Sequence, residues 1–207
     1  MEFAGILGAT EKRFPDQSIF ILGHSLGGQI GCLCAARYSD RISGVILSAS
    51  CSPYHKGWDG ILDTGLVIFS YVAVNIARLL GFWPGHIVGF GGKEGKRLFE
   101  DWFVTATTGK YVAQGSDTDY EQLMSETIMP VLAISYEGDS LAPPASVKNL
   151  ATKFNSSEMI ALVHVDEYND IKERYDHYTW AKKPELAAEL MAKWIWSRDG
   201  KQESAQI

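Results

Sequence analysis

The residues best placed to do chemistry centre on Ser25, within Gly23-His24-Ser25-Leu26-Gly27, a G-x-S-x-G pattern. That pattern serves attack by a serine hydroxyl on an acyl carbon. The apolar run before it, Ser18-Ile19-Phe20-Ile21-Leu22, and the small residues after it read as strand, sharp turn and helix. At such a turn the serine backbone is strained and its hydroxyl stands clear of the sheet. Glycine is expected at 23 and 27 because a Cβ at either position would meet neighbouring backbone. The turn also aims the Leu26 N–H, and the positive end of the following helix, at the space where an acyl oxyanion would form. A serine hydroxyl is a poor nucleophile until a histidine takes its proton, and that histidine needs a carboxylate to fix its tautomer.

The elements that must hold these groups are legible around the motif. A helix from Gly27 to about Tyr38 carries Gly27, Gly28, Gly31, Ala35 and Ala36, small enough for it to lie close on a sheet. Written out, residues 23–28 are Gly-His-Ser-Leu-Gly-Gly, and in this the sequence resembles the esterase- and lipase-like branch of the α/β-hydrolase superfamily. Gly81-Phe82-Trp83-Pro84-Gly85, Gly89-Phe90-Gly91-Gly92 and Asp101-Trp102 are similar to a group of bacterial α/β-hydrolases of unassigned substrate. The resemblance covers most of the chain. It implies the order serine, then acid, then histidine, which leaves His164 and His177 as bases. His164 falls inside the apolar run Met159–His164, where its ring would point into a sheet face. His177 lies in the polar loop Asp166–Tyr178, and loops at strand ends carry chemistry, so His177 is the candidate base. Asp139 follows the strand Val131–Tyr136 in a strand-Gly-Asp-loop-Pro-helix arrangement that resembles the superfamily's acid loop. It is the candidate acid, with Glu137 and Asp176 as alternatives.

With 207 residues, 46% of them hydrophobic, the chain can bury one substantial core and is short for two ordinary domains. A net charge of −6 without a basic run argues against nucleic acid and toward small molecules or lipids. Cys32, Cys34 and Cys51 are odd in number and lack metal-ligand spacing, so they read as small apolar residues in a reducing compartment. No metal or organic cofactor is expected. Residues 1–8 show neither a basic region nor a long apolar segment, so no signal peptide is expected and the cytoplasm is the expected location.

Taken in order, Phe3, Ile6 and Leu7 share a helix face to about Arg13, and the strand before Ser25 is the first. Arg41–Ser50, Val131–Tyr136 and Met159–His164 are three more apolar runs without clean alternation, as parallel strands covered on both faces require. The expected fold is α/β: a mostly parallel sheet of about four strands with flanking helices and a helical cap insertion. Its parts are the first part of the core at 1–50, the cap at 51–127 and the second part of the core at 128–207. The resemblance implies several strands before the first one seen here, and a loop among them that donates a second oxyanion N–H. The sequence is therefore expected to begin inside a longer protein, a shortened relative being the alternative, to leave the first strand as a sheet edge, and to have its activity reduced by the missing loop.

Within the insertion, Ile61 to Leu80 is strongly apolar and an amphipathic segment runs from about Lys93 to Thr105. The resemblance implies a cap over the active site there. Length alone would admit a membrane-spanning helix, but Asp63, Asn75 and Arg78 oppose it, each charge costing roughly 2.5–3.5 kcal/mol at bilayer depth; no transmembrane span is expected. Trp58, Phe69, Tyr71, Phe82 and Trp83 could line a substrate or pack as core. A last helix from Pro184 to Trp196 should close the domain, with a polar tail from Ser197. The reading is a serine hydrolase with a small-molecule or lipid-like acyl substrate. Ser25, His177 and Asp139 would be catalytic, the Leu26 N–H would bind the oxyanion, and the bond cleaved would be a carboxylic ester. A non-catalytic binding or assembly role and acyl transfer to another acceptor are the alternatives.

Overall fold

The computed structural model describes residues 2–155, 157–166 and 174–198. Four strands form the main sheet: β1 (Phe20–His24), β2 (Gly44–Ser48), β5 (Val131–Tyr136) and β6 (Ile160–Val165), in the order β1-β2-β5-β6. Each neighbouring pair is parallel, in registers that place Phe20 beside Gly44, Val45 beside Val131 and Val131 beside Ile160. The missing alternation has its expected cause. Val45, Leu47, Val131 and Ala133 pack into one cluster with Cys32, Ala35, Val147 and Leu150. Their in-between neighbours Ile46, Leu132, Ile134 and Tyr136 pack into another with Trp180, Met191 and Trp194. A strand that must feed both faces has to be apolar throughout.

Helices α1 (Glu2–Arg13), α2 (Leu26–Arg37), α7 (Pro144–Ala151), α8 (Thr179–Lys182) and α9 (Glu185–Arg198) flank this sheet. The small residues of α2 matter as expected: Cys32 and Ala35 are fully buried, and a Cβ on Gly31 would come 3.0 Å from the Ile21 side chain. Boundaries shift by a few residues from the sequence reading. Ser18 and Ile19 precede β1, and α9 continues through Ser197 to Arg198. The tail beyond it, and residues 167–173 of the loop before His177, lie outside the described residues. Among the described residues β1 pairs on one side only, and Leu22 on it is half exposed.

Between β2 and β5 the chain forms α3 (Ile61–Leu80), β3 (Phe82–Pro84), α4 (Gly85–Val88), β4 (Lys93–Gly95), α5 (Lys96–Thr108) and α6 (Tyr120–Glu126). The two three-residue strands pair antiparallel, a ribbon that their length and glycines hide in the sequence. α3 ends where Gly81 takes the left-handed conformation, φ 79°. This region has its own small core of Ala73, Ala77, Trp83 and Phe99, with Phe69 and Ile76 packed on it. Trp83 stacks on Phe99 at 4.7 Å between ring centres and donates its indole N–H to the Phe90 carbonyl at 2.8 Å. Of the aromatics named above, Trp83 and Phe69 are therefore core, whereas Tyr71 is half exposed against Phe103. Farther along, Tyr111 and Met124 join the core beneath the main sheet.

Candidate active site

The bend after β1 is built as its residue types require. Ser25 sits at φ 53°, ψ −127°, a region that non-glycine residues rarely occupy. Three hydrogen bonds hold it there: Ser25 N–H donates to the Ala49 carbonyl (3.2 Å), and the Ser25 carbonyl accepts from Gly28 N–H (3.1 Å) and from the Ser50 hydroxyl (2.6 Å). A Cβ on Gly23 would lie 2.2 Å from the Gly28 Cα, so glycine is obligatory at 23. The matching expectation at 27 is corrected: a Cβ on Gly27 would meet nothing within 4 Å, because the helix has already turned that residue to solvent. The second crowded position is Gly28, where a Cβ would fall 2.1 Å from the Ser50 hydroxyl oxygen. Leu26 is the first residue of α2. Its N–H has no carbonyl one turn earlier to bond to.

The other two candidates arrive from strand ends. Asp139 follows β5, is 4% exposed, and accepts backbone N–H bonds from Leu141 (2.9 Å) and Ala142 (3.0 Å) through Oδ1. Its Oδ2 accepts from His177 Nδ1 at 2.9 Å. The opposite ring nitrogen, Nε2, lies 3.0 Å from Ser25 Oγ. With Nδ1–H donating to the carboxylate, Nε2 is left as the acceptor for the serine proton. The structure thus brings Ser25, His177 and Asp139 together in one line of hydrogen bonds, with both His177 and Asp139 buried and Ser25 partly exposed.

The alternatives are engaged elsewhere. Glu137 accepts from His164 Nε2 at 3.0 Å, and His164 Nδ1 faces the Ser135 hydroxyl at 2.9 Å, away from Ser25. Asp176 accepts from Tyr178 N–H, Thr179 N–H and the Thr179 hydroxyl; those bonds hold its carboxyl down at about 2. It shapes the turn that carries His177. Burial pushes the Cys32 and Cys51 thiols up, Cys51 to about 12, so neither competes as a nucleophile. Among the described residues no cluster of three or more His, Cys, Asp or Glu could hold a metal.

Two residues that sequence reasoning passed over complete the arrangement. His24 Nε2–H donates to the His177 backbone carbonyl at 2.8 Å, and its ring packs 4.8 Å from that of His177 and 5.5 Å from Trp180. Burial lowers its pKa, which favours the neutral ring with Nε2 as donor. Gly138 N–H donates to the Tyr175 carbonyl at 2.9 Å, tying the acid loop to the histidine loop. A Cβ on Gly138 would lie 2.5 Å from that same oxygen. Gly138→Ala should therefore push the two loops apart and lower kcat by roughly 10- to 100-fold, since misplacing a reacting group by about 1 Å has that effect. Steady-state kinetics on a variant with an unchanged circular dichroism spectrum checks this, and a wild-type rate would refute the coupling.

A sequence profile described as the alpha/beta hydrolase fold matches residues 1–85. No curated protein sequence matches the chain. Among solved structures, the chain is similar to BpoC from Mycobacterium tuberculosis H37Rv, at 15% identity and TM-score 0.53, covering 95% of this chain and 72% of that one. It is also similar to a thermophilic esterase from Thermogutta terrifontis (16% identity, TM-score 0.53, 93% of this chain and 70% of that one). A third is a monoacylglycerol lipase from Paleococcus ferrophilus (15% identity, TM-score 0.52, 95% and 73%). With the parallel sheet and the bend at Ser25 agreeing with these matches, the chain has the α/β-hydrolase fold.

Proposed function

We propose that this chain is a serine hydrolase that cleaves carboxylic esters through an acyl-enzyme on Ser25. What carries the reading is the relay in which Ser25 Oγ meets His177 Nε2 at 3.0 Å while Nδ1 meets the Asp139 carboxylate at 2.9 Å. Ser25 Oγ attacks the ester carbonyl carbon as its proton passes to Nε2, and the buried Asp139 stabilises the resulting imidazolium. The negative charge that builds on the carbonyl oxygen is met by the Leu26 N–H and the positive end of α2. Collapse expels the alcohol, which takes the proton back from His177. Water, deprotonated by the same nitrogen, then releases the acid. The esterase and the monoacylglycerol lipase among the similar structures favour an ester as substrate.

In this reading residues 51–127 cap the site, and one contact supports it: the Trp58 indole N–H donates to the Ser140 carbonyl, next to Asp139, at 3.4 Å. The three free cysteines suit the cytoplasm. A fluorophosphonate probe should label the chain at Ser25, located by peptide mass spectrometry. Folded protein that stays unlabelled would overturn the chemistry.

A further inference from the structure

His24 is placed to do more than fill the second position of the G-x-S-x-G pattern. As the last residue of β1 it alternates with Phe20 onto the side of the sheet covered by Trp180 and Trp194. Phe20 lies edge-on to Trp194 at 5.8 Å, and His24 edge-on to Trp180 at 5.5 Å. A polar ring set among aromatic rings needs a hydrogen-bond partner to offset the water it loses. Its partner is the main chain of the candidate base: Nε2–H donates to the His177 carbonyl at 2.8 Å, across 153 residues of chain. A carbonyl only accepts, so Nε2 carries the proton. Burial, the largest influence, pulls the His24 pKa down and keeps the ring neutral. It therefore sets no second positive charge beside an imidazolium on His177.

His177 hangs from two supports. On one side the Gly138 N–H, in the acid loop, holds the Tyr175 carbonyl at 2.9 Å. On the other, His24 holds the carbonyl of His177 itself. His24 and Ser25 are neighbours in the chain, and the Ser25 main chain is locked by its bonds with Ala49, Gly28 and Ser50. The second support is thus rooted in the same rigid bend as the serine. We infer that His24 is a positioning residue: its Nε2–H ties the backbone of His177 to the bend, so that Ser25 Oγ and His177 Nε2 keep their 3.0 Å separation as one body. The kinetic consequence rests on the serine hydrolase proposed above; the tether itself does not.

Ring and donor are separable. Contact with His177, Tyr178 and Trp180 needs only a flat ring, whereas the tether needs an N–H at the place of Nε2. His24→Phe keeps a ring, suits the apolar surroundings and removes the donor. His24→Gln removes the ring and keeps an N–H at about the same reach. In amide exchange read by mass spectrometry, the peptide from Tyr175 to Thr179 should exchange roughly three- to tenfold faster in His24→Phe, the opening that one lost hydrogen bond allows, and within about twofold of wild type in His24→Gln. On p-nitrophenyl acetate, His24→Phe should lose kcat by roughly 10- to 100-fold with KM within about threefold, and His24→Gln should recover most of that loss. Wild-type exchange in His24→Phe would overturn the inference. So would equal losses in the two variants, which would assign the effect to ring packing. A wild-type chain that hydrolyses no ester would reject the hydrolase reading, and the exchange ratio alone would then carry the tether.

Discussion

Replacing Ser25 with alanine should lower kcat on a p-nitrophenyl ester on the order of 10⁶-fold while leaving KM within about threefold. In the proposed mechanism the hydroxyl is the atom that forms the acyl bond, and Cys51 is no substitute for it: it is buried with its thiol pushed up to about 12 and hydrogen-bonded to the Leu141 carbonyl. His177→Ala should give a loss of the same order, and the double variant should be no worse than either single one, because the two groups act as one unit. Additive losses would mean that the hydroxyl and the ring work separately. Full activity in Ser25→Ala would place the chemistry elsewhere. Neither change should weaken the fold much, since Ser25 is held by its backbone and by Ser50, not by its own hydroxyl.

Asp139→Asn should lower kcat about 10⁴-fold, and the structure supplies the reason. Oδ1 accepts from the Leu141 and Ala142 N–H groups, so an asparagine there must keep its carbonyl oxygen on that side. Its NH₂ then faces His177 Nδ1 from the place Oδ2 held, 2.9 Å away. Nδ1 also lies 3.1 Å from Oδ1, but that oxygen already takes two backbone N–H bonds, so a donor in the Oδ2 position favours the imidazole proton on Nε2, and Nε2–H has no lone pair left for the Ser25 hydroxyl. The variant should therefore fold normally, bind substrate normally and fail at proton transfer. Glu137→Gln is the matched control, since Glu137 serves His164, and it should stay within about twofold of wild type. Kinetics on the pair distinguishes the two acids directly; the opposite ranking would move the acid's role to Glu137.

Local physics made much of this molecule legible in advance. Ile61–Leu80 is a helix at both of the expected ends because a mostly apolar stretch without proline meets Gly81, which tolerates the left-handed C-terminal turn without penalty. Val131–Tyr136 is a strand as read, since a buried parallel strand must be apolar on both faces. The ribbon of β3 and β4 was not legible, because three-residue strands carry too little pattern to stand out from a glycine-rich loop. Nor was the crowding at Gly28, which depends on Ser50 arriving from a different strand end.

The sequence by itself determined the bend at Ser25, the α/β class and the short set of acids and bases that could serve the serine. Those follow from neighbours in the chain, where spacing and backbone sterics act directly. The sequence preferred His177 and Asp139, but only the tertiary structure brings them, and not His164, Glu137 or Asp176, into line with Ser25: three groups 38 to 152 residues apart converge because β1, β2, β5 and β6 run parallel and end on the same side. It also decided which face of α3 is exposed. Hydrophobicity counts the aliphatic residues of a helix, but the packing of Phe69, Trp83 and Phe99 chooses the side that meets the protein, and here the small side is chosen.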